Sequence, residues 1–137
     1  FGQKYHITMM VAVDDATVEN GCMEFSDPVD VYNTLPQGNG GTIAEDVEAS
    51  LPWRNLEAKA GDIVFFNSYI PHRSPSNTSS KSRRAMYITY NRKSEGERRS
   101  DYFDDKRRSF PQPCERVDGV DYSAKESLYN LGNPIAN

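Results

Sequence analysis

Two side chains near the middle of the sequence, His72 and Arg83, are of types that bind a metal and an organic anion. A neutral imidazole is a common metal ligand, and a guanidinium donates two parallel hydrogen bonds to a carboxylate. His72 follows an apolar run at 63–66, and Arg83 precedes a second run at 85–90. The residues between them, 74–82, are mostly Ser, Pro, Asn, Thr and Lys, which is typical of a polar loop. A strand, loop and strand of this kind can direct both side chains into one cavity.

Short β-favouring segments, separated by Gly, Pro and Asn turn signals, predict a mainly β chain with antiparallel strands. The predicted strands are 5–14, 22–25, 62–68 and 84–90. In the first strand, Thr8, Met10 and Ala12 alternate with a second, apolar set of residues, so they share one face. His6 lies on that same face. It either approaches a ligand in the cavity of a barrel or is a hydrogen-bonded strand histidine.

Two short helices are predicted outside the strands. Thr42 and Glu45 have the spacing of a capping box, and the apolar residues that follow predict a helix ending before Pro52. Residues 100–108 read as a second, charged helix. The polar residues 114–137 show no sustained period and predict an irregular C-terminal tail.

Length and composition indicate a single domain that forms part of a larger one. The chain has 137 residues, of which 36% are hydrophobic, and its mean hydropathy is −0.75. This apolar content is low for a self-sufficient core. We therefore expect residues 1–137 to be one domain that is the C-terminal part of a longer fold.

Charge and cysteine content exclude several partners. The net charge of −4 gives no reason to expect a nucleic-acid partner. Residues 81–108 nevertheless carry ten Lys and Arg against five Asp and Glu, which either attracts an anionic substrate or forms a solvated surface. Two cysteines without a framework, and no signal or membrane-spanning segment, indicate a cytoplasmic protein with no membrane partner.

The stretch that holds His72 and Arg83 resembles the C-terminal core of the phytanoyl-CoA dioxygenase family. Members of this family are non-haem iron, 2-oxoglutarate-dependent oxygenases. Upstream, 11–24 with its Asn20-Gly21 turn resembles the family's strand and turn. Downstream, Tyr90-Asn91 and the segments 94–96 and 102–106 are similar to the branch that oxidises small aminophosphonates. The resemblance covers residues 5 to 110.

The resemblance implies a double-stranded β-helix, a cupin-like jelly roll, that uses Fe(II), 2-oxoglutarate, dioxygen and a small-molecule substrate. It implies that His72 is an iron ligand, that Arg83 holds the distal carboxylate of 2-oxoglutarate, and that the Ser74 hydroxyl assists Arg83. Arg84 is the alternative to Arg83, because neighbours on a strand point to opposite faces. The family spacing favours Arg83. Met10 departs from the aromatic residue that the family often places against the cosubstrate.

One feature of the family is absent from the sequence. The family holds iron with a His-x-Asp pair and a later His, whereas the residue two positions after His6 is Thr8. The resemblance therefore implies that the other two ligands belong to a missing N-terminal half of the same fold. The alternative is a non-catalytic, cupin-like binding or scaffold module without a complete metal site. No acid–base or nucleophilic catalytic residue is predicted.

Overall fold

The computed structural model of the protein describes residues 4–28, 33–38 and 42–125. Residues 126–137 of the predicted tail, and parts of the segment 29–41, lie outside this description. The chain divides into two compact units. None of the helices in the described part of the chain is long and apolar enough to cross a membrane.

Six strands of the first unit form two three-stranded antiparallel sheets, ordered β4-β1-β6 and β3-β2-β5. The strands are β1 (His6–Ala12), β2 (Met23–Phe25), β3 (Arg54–Leu56), β4 (Ile63–Asn67), β5 (His72–Arg73) and β6 (Ala85–Asn91). All four predicted strands are confirmed to within two residues at each end. The prediction of a mainly β, antiparallel chain is therefore confirmed.

The core of this unit lies between the two sheets. Met10 of β1 and Phe66 of β4 are buried together with Met23 of β2. The rings of Phe25 and Phe66 meet edge to face with centroids 5.0 Å apart, which is a favoured aromatic geometry. We call the side of the β4-β1-β6 sheet that carries Met10 its interior face, and the opposite side its outer face.

The alternation predicted for β1 is confirmed. Thr8, Met10 and Ala12 are buried on the interior face, whereas Ile7 on the outer face is half exposed. In-register partners in a sheet point to the same side, so each neighbour of these residues on β4 and β6 shares their face. Thr89 of β6, the partner of Thr8, therefore also lies on the interior face.

The other unit contains most of the first helix, α1 (Glu45–Ser50), and all of the second, α2 (Arg99–Ser109). The predicted start of α1 is wrong. The helix begins at Glu45, because Ile43 forms an isolated β-bridge with Gln37 and the Ala44 amide donates to Pro36. Backbone pairing has replaced the first turn of the predicted helix. The α2 prediction is confirmed within one residue at each end.

Candidate active site

His72 lies on β5, the shortest strand of the described chain, directly after the buried Pro71. Its Nδ1 is 2.8 Å from the carbonyl oxygen of Ile70. A carbonyl can only accept a hydrogen bond, so this contact places the ring proton on Nδ1. The Nε2 lone pair is then directed away from the strand. A histidine oriented by a backbone carbonyl in this way is the arrangement that metal-binding histidines use.

The imidazole of His72 points into the space between the two sheets. His72 is in register with Phe25, and its ring centroid is 5.2 Å from that of Phe66 and 6.1 Å from that of Phe25. The neighbouring Arg73 points the other way, where it pairs with Glu24 and covers the Trp53 ring at 4.3 Å. The ring of His72 nevertheless remains open to solvent.

Arg83 and Arg84 have different surroundings. Arg84 binds Asp14 through both ends of its guanidinium and through its backbone amide, with each contact 2.8 Å long. These bonds lower the pKa of Asp14 from 3.8 to about 2. Arg83 is half-buried and lies two residues before Ala85, the interior-face partner of Ala12. No other described residue forms a hydrogen bond or ion pair with the Arg83 guanidinium.

The loop between His72 and Arg83 is fixed at several points. Ser74 is exposed directly after β5. The Asn77 side chain closes the loop by donating to the carbonyl oxygen of Lys81 at 2.7 Å. Both the amide and the hydroxyl of Thr78 donate to the carbonyl oxygen of Glu19, which ties the loop to the turn before β2.

The Asn20-Gly21 turn lies directly beneath this loop. Gly21 has φ +77°, and a Cβ atom at this position would lie 2.4 Å from the carbonyl oxygen of Pro75. The next residue, Cys22, is buried, and this burial raises the pKa of its thiol, with Arg83 acting in the opposite direction. The Asn20-Gly21 turn before β2 thus also permits the close approach of the loop after His72.

Three hydroxyl groups of the interior face were not singled out from the sequence. The Thr8 hydroxyl is 2.8 Å from that of Ser68 and 3.0 Å from that of Thr89. Their chain separations of 60 and 81 residues leave no local signal of this cluster. Strand alternation places Thr8 on the face of Met10, but only the register of β1, β4 and β6 brings the three hydroxyls together.

The described residues do not form a complete metal site. His72 has the donor atom and orientation of a ligand, but no group of three His, Cys, Asp or Glu side chains within the described chain is placed to hold a metal ion. Of the predicted site residues, His72 and Arg83 lie at the two ends of one fixed loop. Met10, where the family often has an aromatic residue, is a buried core residue.

Two curated proteins are similar to most of this chain. It is 59% identical over 135 residues to 2-aminoethylphosphonate dioxygenase from uncultured bacterium HF130_AEPn_1, covering 98% of this chain and 52% of that protein. It is 43% identical over 107 residues to methylphosphonate hydroxylase from Gimesia maris, covering 78% of this chain and 41% of that protein. The chain thus spans about half the length of the curated relatives it matches.

A solved structure and a family model agree with these relatives. The non-haem α-ketoglutarate-dependent epimerase SnoN from nogalamycin biosynthesis superimposes with a TM-score of 0.52 and 25% identity, covering 64% of this chain and 34% of that one. The predicted jelly-roll fold is confirmed. The model named "Phytanoyl-CoA dioxygenase (PhyH)" matches residues 2–85, which is more than half of the chain. The chain therefore belongs to the phytanoyl-CoA dioxygenase family.

Proposed function

We propose that the protein is an Fe(II)- and 2-oxoglutarate-dependent dioxygenase that hydroxylates a small phosphonate. The observation that carries this proposal is the geometry of His72. Its Nδ1 donates its proton to the Ile70 carbonyl, so Nε2 keeps the free lone pair of a ring that lies against Phe66. Membership of an oxygenase family and the half-buried guanidinium of Arg83, at the other end of the loop that follows His72, support the same function.

In this proposal, His72 is one of the iron ligands. A facial triad of two His and one carboxylate leaves open positions for a cosubstrate and dioxygen. The other two ligands would come from outside the described residues, which would make the described sheets part of a larger dioxygenase domain.

Arg83 is the proposed partner of the distal carboxylate of 2-oxoglutarate. A guanidinium suits this role because two parallel hydrogen bonds fix both the direction and the charge of the carboxylate. Arg84 is already engaged by Asp14, which leaves Arg83 as the arginine available to a ligand on the interior side. The exposed Ser74 hydroxyl would donate to the same carboxylate.

Bound Fe(II) and 2-oxoglutarate would let one oxygen atom of dioxygen enter a substrate C–H bond while the other enters succinate and carbon dioxide leaves. The substrate class is proposed from the relatives, whose names are 2-aminoethylphosphonate dioxygenase and methylphosphonate hydroxylase. Both names share the phosphonate group. We therefore propose a small phosphonate, with an aminophosphonate as the first candidate.

The test is the iron content of the complete protein and its release of succinate from 2-oxoglutarate, with and without 2-aminoethylphosphonate. His72→Ala should abolish both iron binding and succinate release, because one of three ligands is lost. Arg84→Ala is the matched control and should retain iron, since Arg84 contacts Asp14. If wild-type protein binds 2-aminoethylphosphonate but neither iron nor 2-oxoglutarate, the non-catalytic binding module is the better description. The lack of a three-residue ligand cluster among the described residues is the observation that favours this second candidate.

A further inference from the structure

The interior face of the β4-β1-β6 sheet changes character along its strands. Near the start of β6 it is apolar, where Ala12 lies beside Ala85, followed by Met10 beside Val64. Towards the other end, where Phe66 lies beside Thr8, the face also carries the polar residues Thr8, Ser68, Thr89, His6 and Asn91. We call Thr8, Ser68 and Thr89 the hydroxyl cluster. A polar end on an otherwise apolar wall is the usual composition of a site that orients a small polar ligand.

The hydroxyl cluster has an unused donor. Thr8 Oγ1 is hydrogen-bonded to Ser68 Oγ at 2.8 Å and to Thr89 Oγ1 at 3.0 Å. Three hydroxyls carry three donor hydrogens, and two bonds between them use only two. No other described residue accepts the third hydrogen. Thr8 is buried, whereas Thr89 is exposed, so the cluster can present this hydrogen at an accessible position.

The Phe66 side chain lies between the hydroxyl cluster and His72, and the cluster is remote from Arg83. Phe66 is in register with Thr8, and its ring is 5.2 Å from that of His72. Adjacent strands are about 4.8 Å apart, so the cluster lies one strand beyond the Phe66 ring. Ala12, whose partner Ala85 follows Arg83 by two residues, is four residues along β1 from Thr8. This separation is about 13 Å at the usual strand rise.

The two ends of the interior face therefore suit different ligands. The apolar part with Arg83 beyond it fits an acid anchored at one end by a guanidinium. The polar end offers neutral hydroxyl donors, and His6 lies two residues from Thr8 on the same face. Hydroxyl donors bind the oxygens of an oxyanion.

We propose that the hydroxyl cluster donates a hydrogen bond to a phosphonate oxygen of the substrate, with Thr89 as the residue that determines specificity. This inference rests on the proposed function, since it assigns the substrate to the polar end of the same site. The one free hydrogen of the cluster donates to an anionic oxygen, and a phosphonate offers three such oxygens where a carboxylate offers two. Removing the Thr89 hydroxyl leaves a desolvated anionic oxygen without its donor.

The experiment compares Thr89→Val with Thr89→Ser in the complete protein. Valine keeps the β-branched shape that a strand accepts and removes only the hydroxyl, whereas serine keeps the hydroxyl. The probes are 2-aminoethylphosphonate and its carboxylate analogue, 3-aminopropanoate. The measurements are the dissociation constant of each probe by calorimetry, the KM of each during turnover, the iron content and the KM for 2-oxoglutarate.

We expect Thr89→Val to raise the dissociation constant of 2-aminoethylphosphonate about 10- to 100-fold, the range for one hydrogen bond to a charged group. Thr89→Ser should stay within a few-fold of wild type, and iron content and the KM for 2-oxoglutarate should not change. The proposal is overturned if Thr89→Val binds 2-aminoethylphosphonate normally, or if the substitution weakens the binding of both probes equally. A wild-type protein that contains no iron, or that does not depend on 2-oxoglutarate, would instead refute the proposed function. The calorimetric constants would still decide the role of Thr89.

Discussion

At the scale of single residues, the adjacent arginines Arg83 and Arg84 have different surroundings. Arg84 is fixed by a bidentate contact with Asp14 on the surface, whereas Arg83 is half-buried and forms no contact of this kind with another described residue. Strand alternation predicts from the sequence that only one of the pair can point inward. It does not predict which one, because that depends on the carboxylate that meets the other. The identity of Asp14 as that carboxylate becomes clear only in the folded chain.

The first prediction concerns Arg83 in the complete protein. Arg83→Ala should raise the apparent constant for 2-oxoglutarate about 30- to several-thousand-fold, because losing one partner of a desolvated charge pair costs about 2–5 kcal/mol. Arg83→Lys should recover little, since an ammonium cannot donate two parallel bonds. Iron content should change little. Succinate release as a function of 2-oxoglutarate concentration provides the measurement.

Arg84→Ala is the matched control for this prediction and should change the 2-oxoglutarate constant only slightly. A large defect in Arg84→Ala together with a normal Arg83→Ala would assign the cosubstrate to the opposite face of the strand. Normal constants in both variants would remove the cosubstrate assignment altogether.

The second prediction concerns acid titration of Asp14, whose pKa is about 2 in the folded protein. A lowered carboxyl pKa contributes stability above its unfolded value, and this stability is lost as the pH falls from about 4 to about 2. Arg84→Ala should raise the pKa of Asp14 towards 3.8, because the side-chain hydrogen bonds are its largest cause. The measurement is an NMR titration of the Asp14 carboxyl carbon.

Asp121 serves as an internal control in that titration. The amide and hydroxyl of Ser123 lower the pKa of Asp121, so this carboxyl should titrate identically in wild type and in Arg84→Ala. An unchanged pKa of Asp14 in the variant would mean that the ion pair does not form in solution.

At the scale of elements, the strands could be predicted from the sequence, but their register could not. Alternation and turn residues predict the positions of β1, β2, β4 and β6. β5 has only two residues, too short for any periodic signal, and exists because β2 offers it a partner. The predicted start of α1 is wrong for a related reason, since the pairing of Ile43 with Gln37 overrides the local capping signal. The hydroxyl cluster was missed because long-range register creates it.

The third prediction concerns the turn that supports the loop after His72. Gly21→Ala would place a methyl group 2.4 Å from the Pro75 carbonyl oxygen in a backbone with φ +77°, so the loop 74–82 must move. We expect a lower Tm and a higher apparent constant for 2-oxoglutarate, which means weaker binding, because the displaced loop connects His72 to Arg83. Thermal melting and succinate release measure the two effects.

Gly61→Ala is the matched control for Gly21→Ala. Gly61 also has a positive φ, +94°, but nothing lies within 4 Å of a Cβ atom there. It should therefore show only the backbone strain, about 1–2 kcal/mol, with a normal 2-oxoglutarate constant. Equal losses of Tm in the two variants would mean that the contact with Pro75 contributes nothing.

At the scale of the whole molecule, the outer face of the β4-β1-β6 sheet is apolar and open to solvent. Ile7, Phe65 and Met86 on the three strands of this face are 52%, 63% and 49% exposed. The sequence of β1 explains this pattern, since its outer-face residues Ile7, Met9 and Val11 are all apolar, as in strands that are covered on that side. Contiguous apolar patches of more than a few hundred Å² mark surfaces that associate with other chains or segments.

The last prediction follows from this outer face. The 137-residue chain on its own should self-associate at micromolar concentrations, because Phe65 lies on the edge strand β4 and is 63% exposed. Phe65→Lys should weaken association about ten-fold or more, since it places a charge in the apolar contact. Val18→Lys is the matched control, because Val18 is 55% exposed but lies outside the sheet. Sedimentation velocity across a concentration series measures the association. A monomeric wild-type chain that melts cooperatively would show that the outer face needs no cover, and equal effects of both lysines would assign the association to net charge.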